Sequence, residues 1–413
     1  MDILVSPSRV QGVISAPPSK SYAHRYIIAS FLSKIEGFIN NCQPSKDVMA
    51  TLGVLEKLGL KFNFENGGVA IKFGEKTNNP MLDCNESGST LRFLLPIVSA
   101  LGVTSEFTGS KRLLERPISD LVECLNKNGS DIVGLKLNGK LNCGNFKING
   151  NISSQFITGL LFALPLLNGD STIEIVGERV SQNYIDITLD VLEKFGIKIT
   201  DTQNGYFIKG NQKFISPSFM SVEGDYSNAS FLLSLGALGD GVTVTNLNKN
   251  SKQGDSKIVE ILRDFGAEIK EVENGYFAKT GDLKGVIVDA EDIPDIVQIL
   301  SVVASYAKGK SVFKKVKRLE IKESNRVLGI VENLKNCGIK AEYNGNDLTV
   351  YGGEVKGATF SGDNDHRTVM SAIVTATFAK GNSKILGYEA IQKSYPTFIE
   401  NYVSLGGKVN GNI

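Results

Sequence analysis

The segment VLEKFGIKITDTQNGYFIKG (191–210) reads as the last turns of an amphipathic helix, a stop at Gly196, and two strand-like runs joined by a polar turn. The same ending recurs along the chain: VLEKLG to Gly59, CLNKNG to Gly129, ILRDFG to Gly266, NLKNCG to Gly338, and YVSLGG, whose first glycine is Gly406. Successive glycines lie 70, 67, 70, 72 and 68 residues apart. One glycine after a helix is commonplace; six at a near-constant spacing mark an internal repeat. The strand pair that follows also recurs, as in AEIKEVENGYFAKT (267–280).

A second landmark keeps step with the first. Apolar, small-residue helices are expected from Lys20 (KSYAHRYIIASF), Ser87 (SGSTLRFLLPIVSA), Ser153 (SSQFITGLLFALPLL), Asp225 (DYSNASFLLSLGAL), Asp295 (DIVQILSVVASYA) and Asp365 (DHRTVMSAIVTATFA). They are apolar all round, so they belong in an interior rather than on a surface. Each repeat therefore reads as strand, buried helix, strand, amphipathic helix and two strands. The expected fold is α/β, built of six similar units.

Composition narrows the function. At about 150 residues per domain, 413 residues imply two to three domains. Forty-five basic and 44 acidic residues nearly cancel, so no global field draws in nucleic acid or an acidic membrane. The longest apolar stretches, at 159–167 and 369–379, fall short of the roughly 18 residues a membrane span needs. The start, MDILVSPSRV, has no basic and then apolar leader pattern. Five scattered cysteines without CxxC spacing argue for a reducing compartment and against zinc, and the expected location is the cytoplasm. With two histidines, His24 and His366, a His-rich metal site is excluded; neither a P-loop nor a GxGxxG turn is present.

Any bound anion must then be held locally, and the starts of the buried helices are suited to it. A helix N-terminus offers free N–H groups and partial positive charge. Ser and Asp at these starts are equally readable as ordinary caps. Capping does not account for Lys20, Arg25, Arg92 and Arg367 in the first turn or two, where a cation opposes the helix dipole unless an anion compensates it. Ten arginines stand against 35 lysines, yet Arg25, Arg92, Arg116, Arg326 and Arg367 all fall in the polar segments that punctuate the repeats. Forked arginine contacts suit carboxylate or phosphate.

Two carboxylates accompany these cations. In LEIKESNRVLGIVENL, a helix would make Lys322 and Arg326 like-charged i,i+4 neighbours, unfavourable without an anion between them, while Glu323 and Arg326 at i,i+3 are readable as a simple surface salt bridge. Asp295, after Pro294, reads as a helix cap or as a carboxylate able to take a proton from a substrate hydroxyl. His24 and His366 each precede an arginine by one residue and read as structural histidines.

These residues sit in motifs that, together, resemble a known family. PPSKSYAHR (17–25), ESGSTLR (86–92), ERPISDL (115–121), SSQF (153–156), SQNYIDITL (181–189), EGDYSNAS (223–230), IKESNR (321–326), NDHR (364–367) and KSYP (393–396) occur in order over nearly the whole chain. They resemble the motifs of the 5-enolpyruvylshikimate-3-phosphate (EPSP) synthase family. The resemblance implies two lobes of three βαβαββ repeats with buried parallel helices, 18–222 forming one and 1–17 with 223–413 the other. It places the active site in the interlobe cleft, with hinges near 15–18 and 221–224.

It also implies a reaction. The enolpyruvyl group of phosphoenolpyruvate passes to the 5-hydroxyl of shikimate 3-phosphate through a tetrahedral adduct, releasing phosphate, on the way to chorismate and the aromatic amino acids. No metal or organic cofactor, nucleic acid or membrane takes part, and the chain is expected to be a monomer. By the same resemblance Asp295 serves the hydroxyl, Glu323 the methylene carbon, and Lys20 lies between the substrates. Lys20, Ser21, Arg25, Ser153, Ser154, Gln155, Ser181, Asp295 and Lys322 would hold shikimate 3-phosphate. Lys20, Gly88, Arg116, Gln155, Arg326, Arg367 and Lys393 would hold phosphoenolpyruvate, the position the inhibitor glyphosate occupies in this family. Glu86, Arg318 and Asn325 depart from the family pattern.

Two other readings were weighed. UDP-N-acetylglucosamine enolpyruvyl transferase shares the fold, but it uses a loop cysteine where GSKRLLER (109–116) has none, and a Lys-Asn pair where Lys20 is followed by Ser21. A catalytically silent anion-binding relative would be expected to lack part of the set Asp295, Glu323 and the cations, all of which are present.

Overall fold

A computed structural model describes residues 1–411. The chain divides into two compact units, one of Lys20–Val222 and one of Met1–Ser19 with Glu223–Ile413. Each has its own apolar core.

In the Lys20–Val222 unit three four-stranded sheets share one plan. Met81–Asp83 runs parallel to Ser105–Thr108, which pairs antiparallel with Lys136–Gly139 and through it with Ser130–Val133. Asn145–Asn149, Ser171–Val176, Gly205–Ile208 and Ile199–Thr202 repeat the plan. In the remaining sheet the outer parallel strand is Met220–Ser221, set beside Gly37–Asn40 from the far end of the unit's sequence.

The other unit repeats the plan three more times, twice with borrowed strands. Gln11–Ser15 runs parallel to Gly241–Thr245, and Asp2–Ser6 sits between Ser383–Leu386 and Lys408–Asn410. Ile287–Asp289, Lys310–Lys314, Leu348–Tyr351 and Ala341–Tyr343 form the third sheet. The N-terminal strands thus complete sheets of the C-terminal sequence.

A parallel pair cannot be joined by a tight turn and needs a crossover. Four buried helices supply it, α2 (Gly88–Leu101), α3 (Ser154–Ala163), α5 (Val297–Tyr306) and α6 (His366–Phe378), while α1 (Lys20–Ser33) and α4 (Tyr226–Leu238) lead into Gly37–Asn40 and Gly241–Thr245, whose parallel partners are borrowed from elsewhere in the chain. In α2, Pro96 has no N–H to give the Arg92 carbonyl four residues back. Gly159 of α3 packs against that carbonyl so closely that a Cβ there would lie 2.4 Å from the oxygen. The six repeat glycines all close their helices at positive φ, from +76° at Gly196 to +101° at Gly266, the region where a side chain is disfavoured.

Two helix starts differ from the sequence expectation. α5 begins at Val297 with Ile296 at the cap position, so Asp295 lies just ahead of the helix. The helix expected through Lys322 begins only at Arg326, capped by the Asn325 side chain, which accepts from the Leu328 N–H. Lys322 and Glu323 lie in the preceding turn, because an asparagine competes for the backbone and ends the run. Lys322 and Arg326 are therefore not neighbours on one helix face.

Candidate active site

In the Lys20–Val222 unit, hydrogen bonds tie Arg25 of α1 to Thr158 of α3 and Arg92 and Ser89 of α2 to Gln155 of α3. Lys20, the first residue of α1, pairs with Asp47 at 2.8 Å. One turn on, Arg25 is buried and held wholly by neutral oxygens: Nε donates to Thr188 Oγ1 (2.8 Å), Nη1 to the Ser21 carbonyl (2.7 Å) and Nη2 to the Tyr184 carbonyl (2.8 Å). Its plane lies 5.0 Å from the Phe93 ring, and burial lowers its pKa to about 10. Among the described residues no carboxylate pairs with it. A buried cation without a counter-charge costs free energy unless an anion arrives from solution.

On α2, Arg92 donates to Gln155 Oε1 of α3 at 2.8 Å, and Gln155 Nε2 donates to Ser89 Oγ at 3.0 Å. Ser153 caps α3 by accepting from the Gln155 N–H, and Ser154 follows it, both buried. Gly88 starts α2 with the Arg116 guanidinium laid against it: a Cβ there would sit 2.8 Å from Nη1. Ser181 is buried in the left-handed region (φ 55°, ψ 47°), an unusual place for a serine and a mark of local strain.

The other unit gathers charge around one guanidinium. Arg326, 1% exposed, reaches Asp295 Oδ1 through Nη1 (2.7 Å), Glu323 Oε2 through Nη2 (2.7 Å) and Asp365 Oδ2 through Nε (2.8 Å). Burial disfavours its charge, but Asp365, Glu323 and Asp295 outweigh that and raise its pKa. Arg367 donates from Nη1 to the Asp295 carbonyl at 3.0 Å, and its Nε lies 3.5 Å from Asp295 Oδ1. Lys322 Nζ stands 3.7 Å from the same oxygen. Lys393 is buried and donates to the Asn364 carbonyl. Lys322, Arg326 and Arg367 thus gather around Asp295, with Glu323 and Asp365 on the same fork.

The compensating anions posited for the helix-start cations are partly internal: Asp47 for Lys20 and Asp295 for Arg367. Arg326, assigned to substrate by resemblance, is occupied by three carboxylates in this structure.

With the geometry in place, comparison with known proteins is direct. The profile of EPSP synthase (3-phosphoshikimate 1-carboxyvinyltransferase) matches residues 4–402. The chain belongs to the EPSP synthase family. The 3-phosphoshikimate 1-carboxyvinyltransferase of Clostridium kluyveri is 38% identical, covering 99% of this chain and 98% of that protein. The enzyme of the same name from Clostridium perfringens is 40% identical, covering 99% of each. An EPSP synthase from Acinetobacter baumannii superposes with a TM-score of 0.84 at 22% identity, covering 99% of this chain and 100% of that one. The enolpyruvyl transferase NikO from Streptomyces tendae gives 0.80 at 15%, covering 99% and 98%. The last two establish the two-lobed enolpyruvyl transferase fold.

Within this EPSP synthase fold, sequence reasoning passed over three carboxylates. Asp365, within NDHR, read as a helix-start acid, and Asp47 was not singled out. Asp255 gave no signal at all. It is 3% exposed and accepts from Ser227 Oγ through Oδ2. Burial first, then the Asp295 charge, push its pKa up to about 7. A raised carboxyl pKa favours the fold below the unfolded value of 3.8, and that contribution is lost as pH rises towards about 7. Asp255→Asn is therefore expected to flatten the fall in urea-unfolding stability between those two values; an unchanged slope would contradict the assignment.

Proposed function

We propose that this enolpyruvyl transferase works through the residues assembled above. As a 3-phosphoshikimate 1-carboxyvinyltransferase of the shikimate pathway, it converts phosphoenolpyruvate and shikimate 3-phosphate to 5-enolpyruvylshikimate 3-phosphate and phosphate. The observation that carries the residue assignment is a pair of carboxylates, Asp295 and Glu323, fixed on the buried Arg326 with Lys322 beside them.

In the addition step Asp295 takes the proton of the acceptor 5-hydroxyl as its oxygen bonds to C2 of phosphoenolpyruvate. Glu323 delivers a proton to the methylene C3, giving a methyl group and the tetrahedral adduct. In the elimination step Glu323, now a carboxylate, takes back a methyl proton, the C2–C3 double bond re-forms, the C2–O bond to phosphate breaks, and the leaving phosphate takes the proton held by Asp295. Atoms and charge balance without a cofactor. Arg116, Arg326, Arg367, Lys393 and Lys20 neutralise phosphoenolpyruvate and the Gln155 amide hydrogen-bonds to it, with Gly88 at the close backbone approach. Ser21, Arg25, Ser153, Ser154, Gln155, Ser181 and Lys322 hold shikimate 3-phosphate, with Lys20 and Asp295. Fixed charges of this kind supply much of a rate enhancement.

Phosphate release tests the acceptor. With phosphoenolpyruvate present and no added metal, release is expected with shikimate 3-phosphate and absent with UDP-N-acetylglucosamine. The reverse would overturn the acceptor assignment. Phosphoenolpyruvate binding without release in either would favour a silent relative.

Two further results are expected. Burial, reinforced by Arg318 and Arg326 and opposed by Asp295, lowers the Lys322 pKa to about 8. Its hold on an anion should weaken as pH rises through that value, the KM for shikimate 3-phosphate climbing up to roughly tenfold per pH unit above it. Lys322→Arg, charged throughout, should lose that climb. Gly88→Ala puts a methyl against the Arg116 guanidinium, which must then move. The KM for phosphoenolpyruvate should rise about ten- to a hundredfold, with glyphosate inhibition weakened in parallel. Full wild-type activity in excess glyphosate would contradict placing an inhibitor-sensitive site at Gly88.

We take the enzyme to act as a cytoplasmic monomer. Among the described residues no helix is long and apolar enough to cross a membrane, and all five cysteines are free.

A further inference from the structure

His24, Thr51, Thr90 and Ser87 form a buried chain of hydrogen bonds that the reaction does not use. His24 Nδ1 lies 2.7 Å from Thr51 Oγ1, which lies 2.7 Å from Thr90 Oγ1, which donates to Ser87 Oγ at 2.8 Å. All four are at most 1% exposed. They join three helices: α1, the helix Lys46–Lys57, and the cap and first turn of α2.

The direction of the chain follows from counting protons. A hydroxyl has one hydrogen to give. Thr90 spends its own on Ser87, so Thr51 must donate to Thr90. Thr51 then has none left for His24, so the imidazole must donate from Nδ1. An imidazolium would also donate there but would leave an N–H on Nε2 unsatisfied in the interior, so the neutral tautomer with a bare Nε2 is the one that fits. Nε2 is buried with no partner, next to the Phe93 ring at 6.4 Å between centroids. The charged groups around the ring are Asp47, which favours the imidazolium, and Lys20 and Arg25, which oppose it; burial dominates and lowers the pKa to about 3.

The far end of the chain is Ser87, which also accepts from the Thr90 N–H and so caps α2 immediately before Gly88. We propose that His24 is a positioning residue for the phosphoenolpyruvate site: as a permanently neutral Nδ1–H donor it drives a one-way chain through Thr51 and Thr90 that fixes the Ser87 cap, and with it Gly88 against Arg116. The functional half of this rests on Gly88 and Arg116 holding phosphoenolpyruvate; the tautomer does not.

The test therefore has two parts. In protein carrying 15N-labelled histidine, the ring signals lost in His24→Asn should show a protonated Nδ1 and an unprotonated Nε2, with no titration between about pH 5 and about pH 8. A protonated Nε2, or titration in that range, overturns the proposal whatever the activity. In kinetics, His24→Asn keeps a donor near the Nδ1 position and should leave the KM for phosphoenolpyruvate within about twofold of wild type. His24→Gln moves the donor towards the Nε2 position, and Thr51→Val cuts the chain while keeping its shape. Both should raise that KM by about fivefold or more, with the KM for shikimate 3-phosphate little changed. Equal effects on both substrates, or no rescue by His24→Asn relative to His24→Gln, overturn the positioning role. If no variant turns over at all, the same comparison is made on binding of phosphoenolpyruvate in the presence of shikimate 3-phosphate, and selective loss in His24→Gln and Thr51→Val supports it while uniform binding overturns it.

Discussion

Arg326→Met should destabilise the unit that carries it by about 3–5 kcal/mol, because it leaves buried carboxylates without their shared cation. Asp365 is fully buried, and it is held on Arg326 Nε. Burial works against its charge, but the guanidinium prevails and lowers its pKa below 3.8. A lowered carboxyl pKa stabilises the fold above the unfolded value, and that stabilisation fades as pH falls through the folded one. Without Arg326, burial and the Glu323 charge outweigh the His366 charge and the hydrogen bonds from Ser324 Oγ and the Arg367 N–H, the sign reverses, and the variant should gain stability on acidification where wild type loses it. Urea midpoints measured across the acid range separate the two slopes. Arg326→Lys should rescue little, since a single ammonium cannot serve Asp295, Glu323 and Asp365 through one planar fork. A variant as stable as wild type at neutral pH would mean that the three carboxylates do not depend on this guanidinium.

Asp295→Asn and Glu323→Gln should instead leave the fold nearly intact and lower kcat by about 10²–10⁴-fold each. Each amide keeps an oxygen that can accept from Arg326 but loses the ability to take up a proton. The contrast with Arg326→Met is the point: one change removes the scaffold of the cluster, the other two remove its chemistry. Unfolding midpoints within the range of an ordinary surface substitution, together with collapsed turnover, are the expected pair of results. Turnover within tenfold of wild type in either variant would remove that residue from the proton-transfer path.

The repeat was legible because it is written in backbone chemistry. Glycine tolerates positive φ, so six helix endings carry the same letter in the same place, and apolar helices announce an interior position wherever they occur. The borrowed strands were harder, since Met220–Ser221 or Asp2–Ser6 pairs with segments far away in sequence and nothing local names the partner. The cations of the candidate site were visible because arginine is sparse and concentrated in the polar junctions. Of their partners only Glu323, three residues before Arg326, was legible; the others were not, for a physical reason. Whether Asp295 caps a helix or neutralises a guanidinium depends on where the helix starts, and Asn325 and Ile296 shift those starts by one or a few residues. Asp255 was invisible because a single aspartate in a polar run looks exposed until the fold buries it.

The account stands most directly on Glu323 protonating the methylene carbon. Wild-type enzyme given phosphoenolpyruvate and shikimate 3-phosphate in D2O should place deuterium in the vinyl CH2 of the product and of recovered phosphoenolpyruvate, read by NMR. The methyl group of the adduct holds one solvent-derived hydrogen and returns any of three. In Glu323→Gln, exchange should fall in step with turnover, by about 10²–10⁴-fold. Product formed without deuterium at that carbon, or exchange that persists undiminished in Glu323→Gln, would contradict both the addition–elimination path and the role given to Glu323.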